Sequence, residues 1–280
     1  MVSRSSEVTN QNISGQVATT LPFLFPPRPK PAGFREFDFR SDFISGDAES
    51  LQTALHDVAT HAYGQRAPTI VNHKLQHEPI PTVSRLAKRV LDLVISSAAL
   101  LLLWPLMLVI AIAVKLESRG PAIYASLRVG KRGIPFVCYK FRTMVLGANR
   151  LRKVLDHLNE RRGPFFKIAN DPRVTPLGRF LRKYSLDELP QFWNVLKGDM
   201  SLVGPRPHPL EDVEQYSAGH EQRLEVIPGM TGLWQVTARE NPSFETCVQL
   251  DVGYIRHWSL LLDCKILLRT VPAVLAGDGQ

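Results

Sequence analysis

The sequence predicts an α/β protein: a small domain of helices and short strands carried on a re-entrant membrane helix, with interfacial amphipathic helices beside it. Three observations predict this. From Leu93 to Val114 run 22 residues without a charge, enough to span the hydrocarbon core of a bilayer. Both flanks of the run are basic, with Arg85, Lys88 and Arg89 before it and Lys115, Arg119, Arg128, Lys131 and Arg132 after it. Beyond residue 119 the chain changes between period-2 patterns and patterns that place apolar residues on one helical face.

A soluble core helix rarely stays apolar all round for six turns, so the 93–114 run reads as membrane-buried. A single straight crossing would leave one basic flank on the wrong side, since basic flanks stay cytoplasmic. Pro105 lies near the middle of the run. It removes one backbone hydrogen bond and clashes with the carbonyl four residues earlier, which predicts a kink or break. Ser96 and Ser97 are able to satisfy backbone groups freed at depth. A helix–break–helix that enters and leaves by the same face accounts for the flanks and the proline together; a kinked span is the alternative. Three regions follow: a flexible N-terminal arm over 1–80, the re-entrant helix over 81–119 and an α/β domain over 120–280.

The arm is rich in Ser, Thr, Asn and Gln over its first twenty residues and carries Pro-Pro-Arg-Pro-Lys-Pro at 26–31, a composition suited to an extended tether. No apolar stretch of the kind found in a signal peptide follows the first residues. A short helix is expected from Ala48 to Tyr63, stopped by Gly64. His56, His61, His73 and His77 match no metal-ligand spacing. The net charge of +8 is unevenly spread: residues 81–162 hold 15 Lys or Arg against 4 Asp or Glu, a local balance of +11. That segment calls for an anionic partner. Beside a bilayer-length apolar run, anionic lipid is a simpler partner than nucleic acid, so no nucleic-acid partner is expected. Cys138, Cys247 and Cys264 are too few and too scattered for a disulfide framework or a metal site.

In the 120–280 domain, Tyr124–Val129 and Ile134–Thr143 are expected as strands around the Gly130–Gly133 turn. Val137, Tyr139 and Phe141 would share one face of the second strand, Lys140 and Arg142 the other. Leu151, Val154, Leu155 and Leu158 fit one helical face, and Leu189, Phe192, Trp193 and Leu196 fit another that ends at Lys197-Gly198. The segment from Trp258 to Leu275 is apolar except for Asp263, Lys265 and Arg269, the pattern of an interfacial or core helix.

The stretch Ser185-Leu186-Asp187-Glu188-Leu189-Pro190-Gln191 carries the most chemical information. Ser-x-x-Glu is a capping box, and acids are favoured at helix N-termini, so a structural role is available for both acids. Against it, Pro190 sits one position too deep for a helix that starts after Ser185. Adjacent helical residues point about 100° apart, which lets one carboxylate attack while the other faces a metal or a proton. The surroundings are basic: Arg173, Arg179, Arg182 and Lys183 precede the pair and Arg206 follows it. A carboxylate that attacks phosphorus needs such cations to offset anionic repulsion. Pro205 and Pro207 bracket Arg206 and restrict its backbone, which suits a guanidinium presented to a phosphate and equally suits a rigid surface turn. Pro228 to Trp234 reads as a tight turn that enters a strand. The sequence has no Walker phosphate loop, no Gly-x-Gly-x-x-Gly, no His-Glu-x-x-His and no Asp-x-Asp.

Lys140 to Met144, Asp171 to Thr175, Ser185 to Gln191, Asn194 to Pro207 and Pro228 to Val236 occur in the same order in one family. On these motifs the sequence resembles the bacterial sugar transferases, or monotopic phosphoglycosyl transferases, over roughly residues 84–276. The shorter, exopolysaccharide-initiating hexose-1-phosphate type is the nearest in form. The resemblance implies a cytoplasmic catalytic domain on the bacterial inner membrane, a helix broken near Pro105 and a requirement for Mg²⁺. It further implies transfer of a sugar-1-phosphate from a UDP-sugar to polyprenyl (undecaprenyl) phosphate with release of UMP. Asp187 would be the nucleophile, forming a phosphosugar-aspartyl intermediate, and Glu188 would bind the metal or assist proton transfer. Lys140, Arg142, Arg179, Arg182 and Arg206, with Pro205 and Pro207 framing the last, would contact phosphates. The sugar is not readable, with galactose or glucose favoured by the resemblance. A homo-oligomer and an association with downstream glycosyltransferases both stay open. A scaffold that kept the fold without the chemistry is the main rival, weakened by the presence of the Asp-Glu pair and of the prolines around Arg206.

Overall fold

The computed structural model describes residues 82–152, 154–160, 166–217, 219–239 and 243–277. The N-terminal arm, its expected helix and its four histidines lie outside the described residues. Helix α1 (Thr82–Glu117) is 36 residues long and carries Pro105 inside it. The break expected at Pro105 does not divide it. Proline removes one backbone hydrogen bond, and the helix on either side is long enough to continue through that loss. Helix α1 is long and apolar enough to cross a membrane, and 11% of its most apolar window is buried. Leu101, Leu102, Trp104, Leu106, Leu108 and Val109 in its middle are exposed.

The two ends of α1 differ from its middle because both are docked on the 120–280 domain. Near its start, Arg89 donates to the carbonyls of Val195 (2.6 Å) and Leu196 (2.8 Å). Lys88 donates to Asp263 at 2.6 Å and to the Val203 carbonyl at 3.0 Å. Asp92 accepts from the Leu202 amide at 2.9 Å and the Ser201 hydroxyl at 3.1 Å. Near its end, Ile110 and Val114 are buried with Ala122, Phe141 and Leu181, and Glu117 accepts from the Leu177 amide at 2.8 Å.

Strands β1 (Ile123–Val129) and β2 (Pro135–Phe141) pair antiparallel from Ile123↔Phe141 to Val129↔Pro135, around a 3-10 turn over Lys131–Gly133. The hairpin forms where expected, but its burial does not alternate, since Phe136, Val137 and Cys138 are all buried, and β2 stops at Phe141. Arg142 therefore leaves the strand face it was expected to share with Lys140. The helix expected over 151–158 is not continuous. Helix α2 covers Ala148–Leu151, and a 3-10 turn covers Asp156–Leu158. Leu151, Val154 and Leu158 stay exposed, so no packing partner pays for a longer helix.

Helix α3 (Pro176–Lys183) starts with Pro176 at its first position, and the Thr175 side chain accepts from the Gly178 amide. Helix α4 (Gln191–Lys197) ends as expected at Gly198, whose φ of 93° is the left-handed cap that glycine adopts without strain. Its buried face is not the expected one, since Gln191, Asn194 and Val195 are inside while Trp193 is exposed. Asn194 accepts from the Tyr139 amide and donates to the Val137 carbonyl, which locks α4 onto β2.

Strand β3 (Ser201–Val203), the short helix α5 (Leu210–Val213) and strand β4 (Gly229–Thr231) come next. β3 and β4 run parallel in the register Ser201↔Gly229 and Val203↔Thr231. Their backbones approach so closely that a Cβ on Gly229 would lie 2.1 Å from the Gly204 nitrogen, which excludes any side chain there. The strand expected to hold Trp234 is replaced by helix α6 (Leu233–Thr237), which buries Trp234. Helices α7 (Phe244–Arg256) and α8 (Leu260–Ala276) complete the chain. Asp263 of α8 is buried, where it meets Lys88, the Tyr254 hydroxyl at 2.7 Å and the Trp258 indole at 3.2 Å. Leu261, Leu268, Val271 and Leu275 of the same helix are exposed.

Candidate active site

The turn that carries the two acids is built by a residue in an uncommon conformation. Ser185 has a φ of 53°, in the left-handed region, and redirects the chain between α3 and a 3-10 turn over Leu186–Glu188. The capping box that the sequence allows is absent. The Ser185 side chain caps nothing, and the Glu188 side chain turns away to two cations. Pro190 then stands at the N-cap of α4, where its fixed φ and missing N–H are tolerated.

Glu188 is the centre of a charged cluster. Its Oε1 accepts from Lys140 Nζ at 2.6 Å and from Arg206 Nη2 at 2.7 Å, and its Oε2 has a longer contact of 3.4 Å to Arg206 Nη1. Lys140 comes from β2 and Arg206 from the loop after β3, so three distant segments meet here. Asp187 is buried beside them. Its nearest cation is Lys140, 3.9 Å from Oδ2, and it accepts no hydrogen bond from the described residues. Burial raises the pKa of both acids, and their different charged partners then send them in opposite directions. For Glu188, burial alone would raise the pKa, but Arg206 and Lys140 outweigh it and hold the carboxyl well below the usual range. For Asp187, burial wins and raises the pKa, with Lys140 opposing it and the neighbouring Glu188 adding to it.

The other expected site residues have different fates. Arg182 of α3 donates from Nε to the Thr143 hydroxyl at 2.9 Å. Burial lowers its pKa, while the charge of Asp187 opposes that shift. Arg179 is exposed, and its side chain has no partner among the described residues. Arg142 is spent elsewhere. Nε donates to the Pro121 carbonyl (2.7 Å), Nη1 to the Ser118 hydroxyl (2.6 Å) and the Arg119 carbonyl (3.1 Å), and Nη2 to the carbonyls of Ser118 (2.8 Å) and Val114 (3.2 Å). One donor thus reaches the last turn of α1, at Val114, and the other four hold the 118–121 turn that follows the helix. Arg173 is likewise committed, to a buried pair with Asp171 in which Nη2 lies 2.6 Å from Oδ2.

A second cluster, which local sequence reading does not single out, stands next to the Arg206 loop. Arg223 pairs with Asp251, and its Nη1 lies 2.7 Å from the Tyr216 hydroxyl and 2.9 Å from His208 Nδ1. His208 is held well below its usual pKa by burial and then by the charges of Arg223, Arg128 and Arg206. One signal for this cluster exists in the sequence. Asp251 falls on the face of α7 formed by Cys247, Val248 and Tyr254, and an acid inside an apolar stripe needs a partner.

The model of the family described as bacterial sugar transferase matches residues 83–277. The chain is 44% identical over 210 residues to the undecaprenyl-phosphate galactose phosphotransferase of Salmonella typhimurium, a match covering 74% of this chain and 44% of that protein. It is 43% identical over 205 residues to the UDP-glucose:undecaprenyl-phosphate glucose-1-phosphate transferase of Escherichia coli, covering 70% and 42%. It is 41% identical over 202 residues to the exopolysaccharide production protein ExoY of Rhizobium meliloti, covering 71% and 89%. The chain therefore matches less than half the length of the first two and most of the third. With over two-thirds of its length inside the family model and motifs in matching order, this chain belongs to the bacterial sugar transferase family.

Proposed function

We propose that the protein transfers a hexose-1-phosphate from a UDP-sugar to undecaprenyl phosphate, with Asp187 as nucleophile. One observation carries the assignment: of two adjacent carboxylates, the part-buried Glu188 is engaged by two cations, while the buried Asp187 accepts no hydrogen bond from the described residues. Engaged lone pairs attack poorly, and the carboxylate with the higher proton affinity is the better nucleophile. An Asp187 oxygen attacks the β-phosphorus. The bond from that phosphorus to the bridging oxygen breaks, and its electron pair leaves with UMP. An oxygen of the polyprenyl phosphate then attacks the same phosphorus, the aspartyl-phosphate bond breaks, and the Asp187 carboxylate is restored. Lys140, Arg182 and Arg206 offset the charge on the phosphates during both displacements. Arg142 is left out of this set because its donors are already committed.

Among the described residues no three His, Cys, Asp or Glu side chains gather to cage a metal. Mg²⁺ beside phosphates commonly takes a single carboxylate, and Glu188, whose Oε2 has only the 3.4 Å contact to Arg206, is chemically suited to be that one. Glu188 would hold it through Oε2, and the ion would supply charge neutralisation on the pyrophosphate. A single-turnover measurement tests the reading. Without lipid acceptor, UMP should appear in an amount no greater than the enzyme present, and labelled phosphosugar should map to the peptide that contains Asp187. Turnover that needs both substrates at once, with no adduct, overturns it.

The protein acts from the cytoplasmic face of the inner membrane, with α1 bent at Pro105 without losing its helical continuity, so that it enters and leaves by that face. Support comes from the two docked ends, since Arg89 and Asp92 at one end and Val114 and Glu117 at the other hold the same domain. The exposed leucines of α8 suit an interfacial helix resting on lipid. Single cysteines at Ser84 and Ser118, in a chain whose exposed Cys264 is replaced by Ser, should both be labelled only from the cytoplasm. Labelling of either from outside overturns this topology.

A further inference from the structure

The loop of Arg206 is held in an unusual way. Pro205 and Pro207 have no N–H, so this loop offers few donors to fix itself. Instead, four consecutive carbonyls accept from three other segments. The Gly229 amide reaches the Pro205 oxygen at 2.9 Å, and Arg223 Nη2 reaches the Arg206 oxygen at 3.1 Å. Arg128 Nη1 reaches the Pro207 oxygen at 3.4 Å, and the Val129 amide reaches the His208 oxygen at 3.0 Å. The tether on Arg206 itself is thus a side chain, from a residue far along the chain. Arg223 is buried, and the same Nη2 that holds the Arg206 carbonyl also pairs with Asp251 of α7.

We propose that Arg223, fixed by Asp251, is the positioning residue that aims Arg206 at the reacting phosphates. It touches no reacting atom; it acts through the backbone of Arg206. The fork geometry is the reason an arginine is needed. One guanidinium meets Asp251, the Tyr216 hydroxyl, His208 and the Arg206 carbonyl together, whereas a lysine presents a single nitrogen and cannot bridge the same set. Pro205, Arg206 and Pro207 line a small open cavity with His208, Tyr216 and Arg223, so the loop is not packed solidly on that side.

The proposal rests on the assigned function only through the role of Arg206, and the experiment separates the two. In the full-length protein in its native lipid, Arg223→Lys should lower kcat/KM about tenfold or more, with the same split between kcat and KM as Arg206→Lys. In an Arg206→Lys background, Arg223→Lys should cost less than twofold further, because its route of action is already damaged. If Arg223→Lys does not fold, the pair Arg223→Met with Asp251→Leu removes the tether without leaving a buried charge unpaired. Equal losses in both backgrounds, or near-normal turnover without the tether, overturn the proposal. If the unaltered protein releases no UMP from any UDP-sugar, the functional reading fails instead. Amide exchange of the 201–209 peptide then decides the tether: faster exchange in the variant upholds it, and unchanged exchange overturns it.

Discussion

Two clusters of arginine and carboxylate meet at Arg206, and they are built for different ends. Glu188 shares one oxygen between Lys140 and Arg206, and the Arg206 side chain keeps 31% of its surface exposed. Asp251 and Arg223 are 3% and 2% exposed, and Arg223 is surrounded by acceptors. The residue types are the same. Burial and connectivity separate them: the open cluster keeps cations within reach of an incoming anion, while the closed one has nothing left to offer and serves as a brace. Arg206 belongs to both, through its guanidinium on one side and its carbonyl on the other.

The largest effect should come from the open cluster. Asp187→Asn is expected to lower kcat by at least about 10³-fold with little change in melting temperature, since removing a nucleophile disables the whole reacting unit. Steady-state UMP release and thermal unfolding measure the two sides of this claim. Substantial activity in that variant would return Asp187 to a structural role. Asp251→Ala should do the reverse. It leaves Arg223 buried without its partner, a change that costs about 3–5 kcal/mol, whereas Glu188→Ala, in the more open cluster, should cost far less stability. Chemical denaturation of the two variants side by side checks this contrast, and equal losses would erase it.

A third test concerns an arginine that belongs to neither cluster. Arg142→Ala removes the donors that hold the 118–121 turn against the end of α1 and should destabilise the protein by about 1–3 kcal/mol. Activity per folded molecule should stay close to normal at low temperature. A loss of turnover without a loss of stability would restore Arg142 to the phosphate contacts.

The smallest expected effect is on pH dependence. His208 is kept neutral in the folded state, its pKa lowered by burial and by three arginines. The unfolded chain takes up a proton near the ordinary histidine pKa, and the folded chain does not, so stability falls as pH drops below about 6.5. Between pH 7.5 and 5.5 this one group should remove roughly 1.4 kcal/mol, measured as the difference between the unaltered protein and His208→Gln. Identical pH profiles would mean that His208 takes up its proton equally well in the folded and unfolded chains, and a gain of stability on acidification would mean that it is charged in the fold.

These residues show how far a sequence can be read. Lys140, Asp187, Glu188 and Arg206 were legible because their motifs are local, and the structure brings all four together. Arg142 was misplaced because the alternation argument assumed that β2 continues, whereas it stops one residue earlier. Its five donors then find the end of α1 and the turn that follows it, which no spacing in the sequence announces. The capping box that Ser185 and Glu188 allow does not form, for a related reason. Ser-x-x-Glu fits a helix start, but the Glu188 carboxylate gains more from two cations contributed by distant segments. Of the buried acids Asp92, Asp251 and Asp263, only Asp263 stands out in the local sequence, as a charge within an apolar segment, and its partner Lys88 comes from far along the chain.

By itself the sequence determined the apolar 93–114 run, the hairpin around 130–133, the glycine stop at 198 and the acid pair at 187–188. Each of these depends on neighbours within a few residues, through periodicity, backbone freedom or charge pattern. Tertiary structure alone decided which arginine braces, which caps and which stays available. A guanidinium is satisfied by whatever acceptors surround it, and those acceptors arrive from segments as far apart as Arg89 and Leu196, or Arg223 and Asp251.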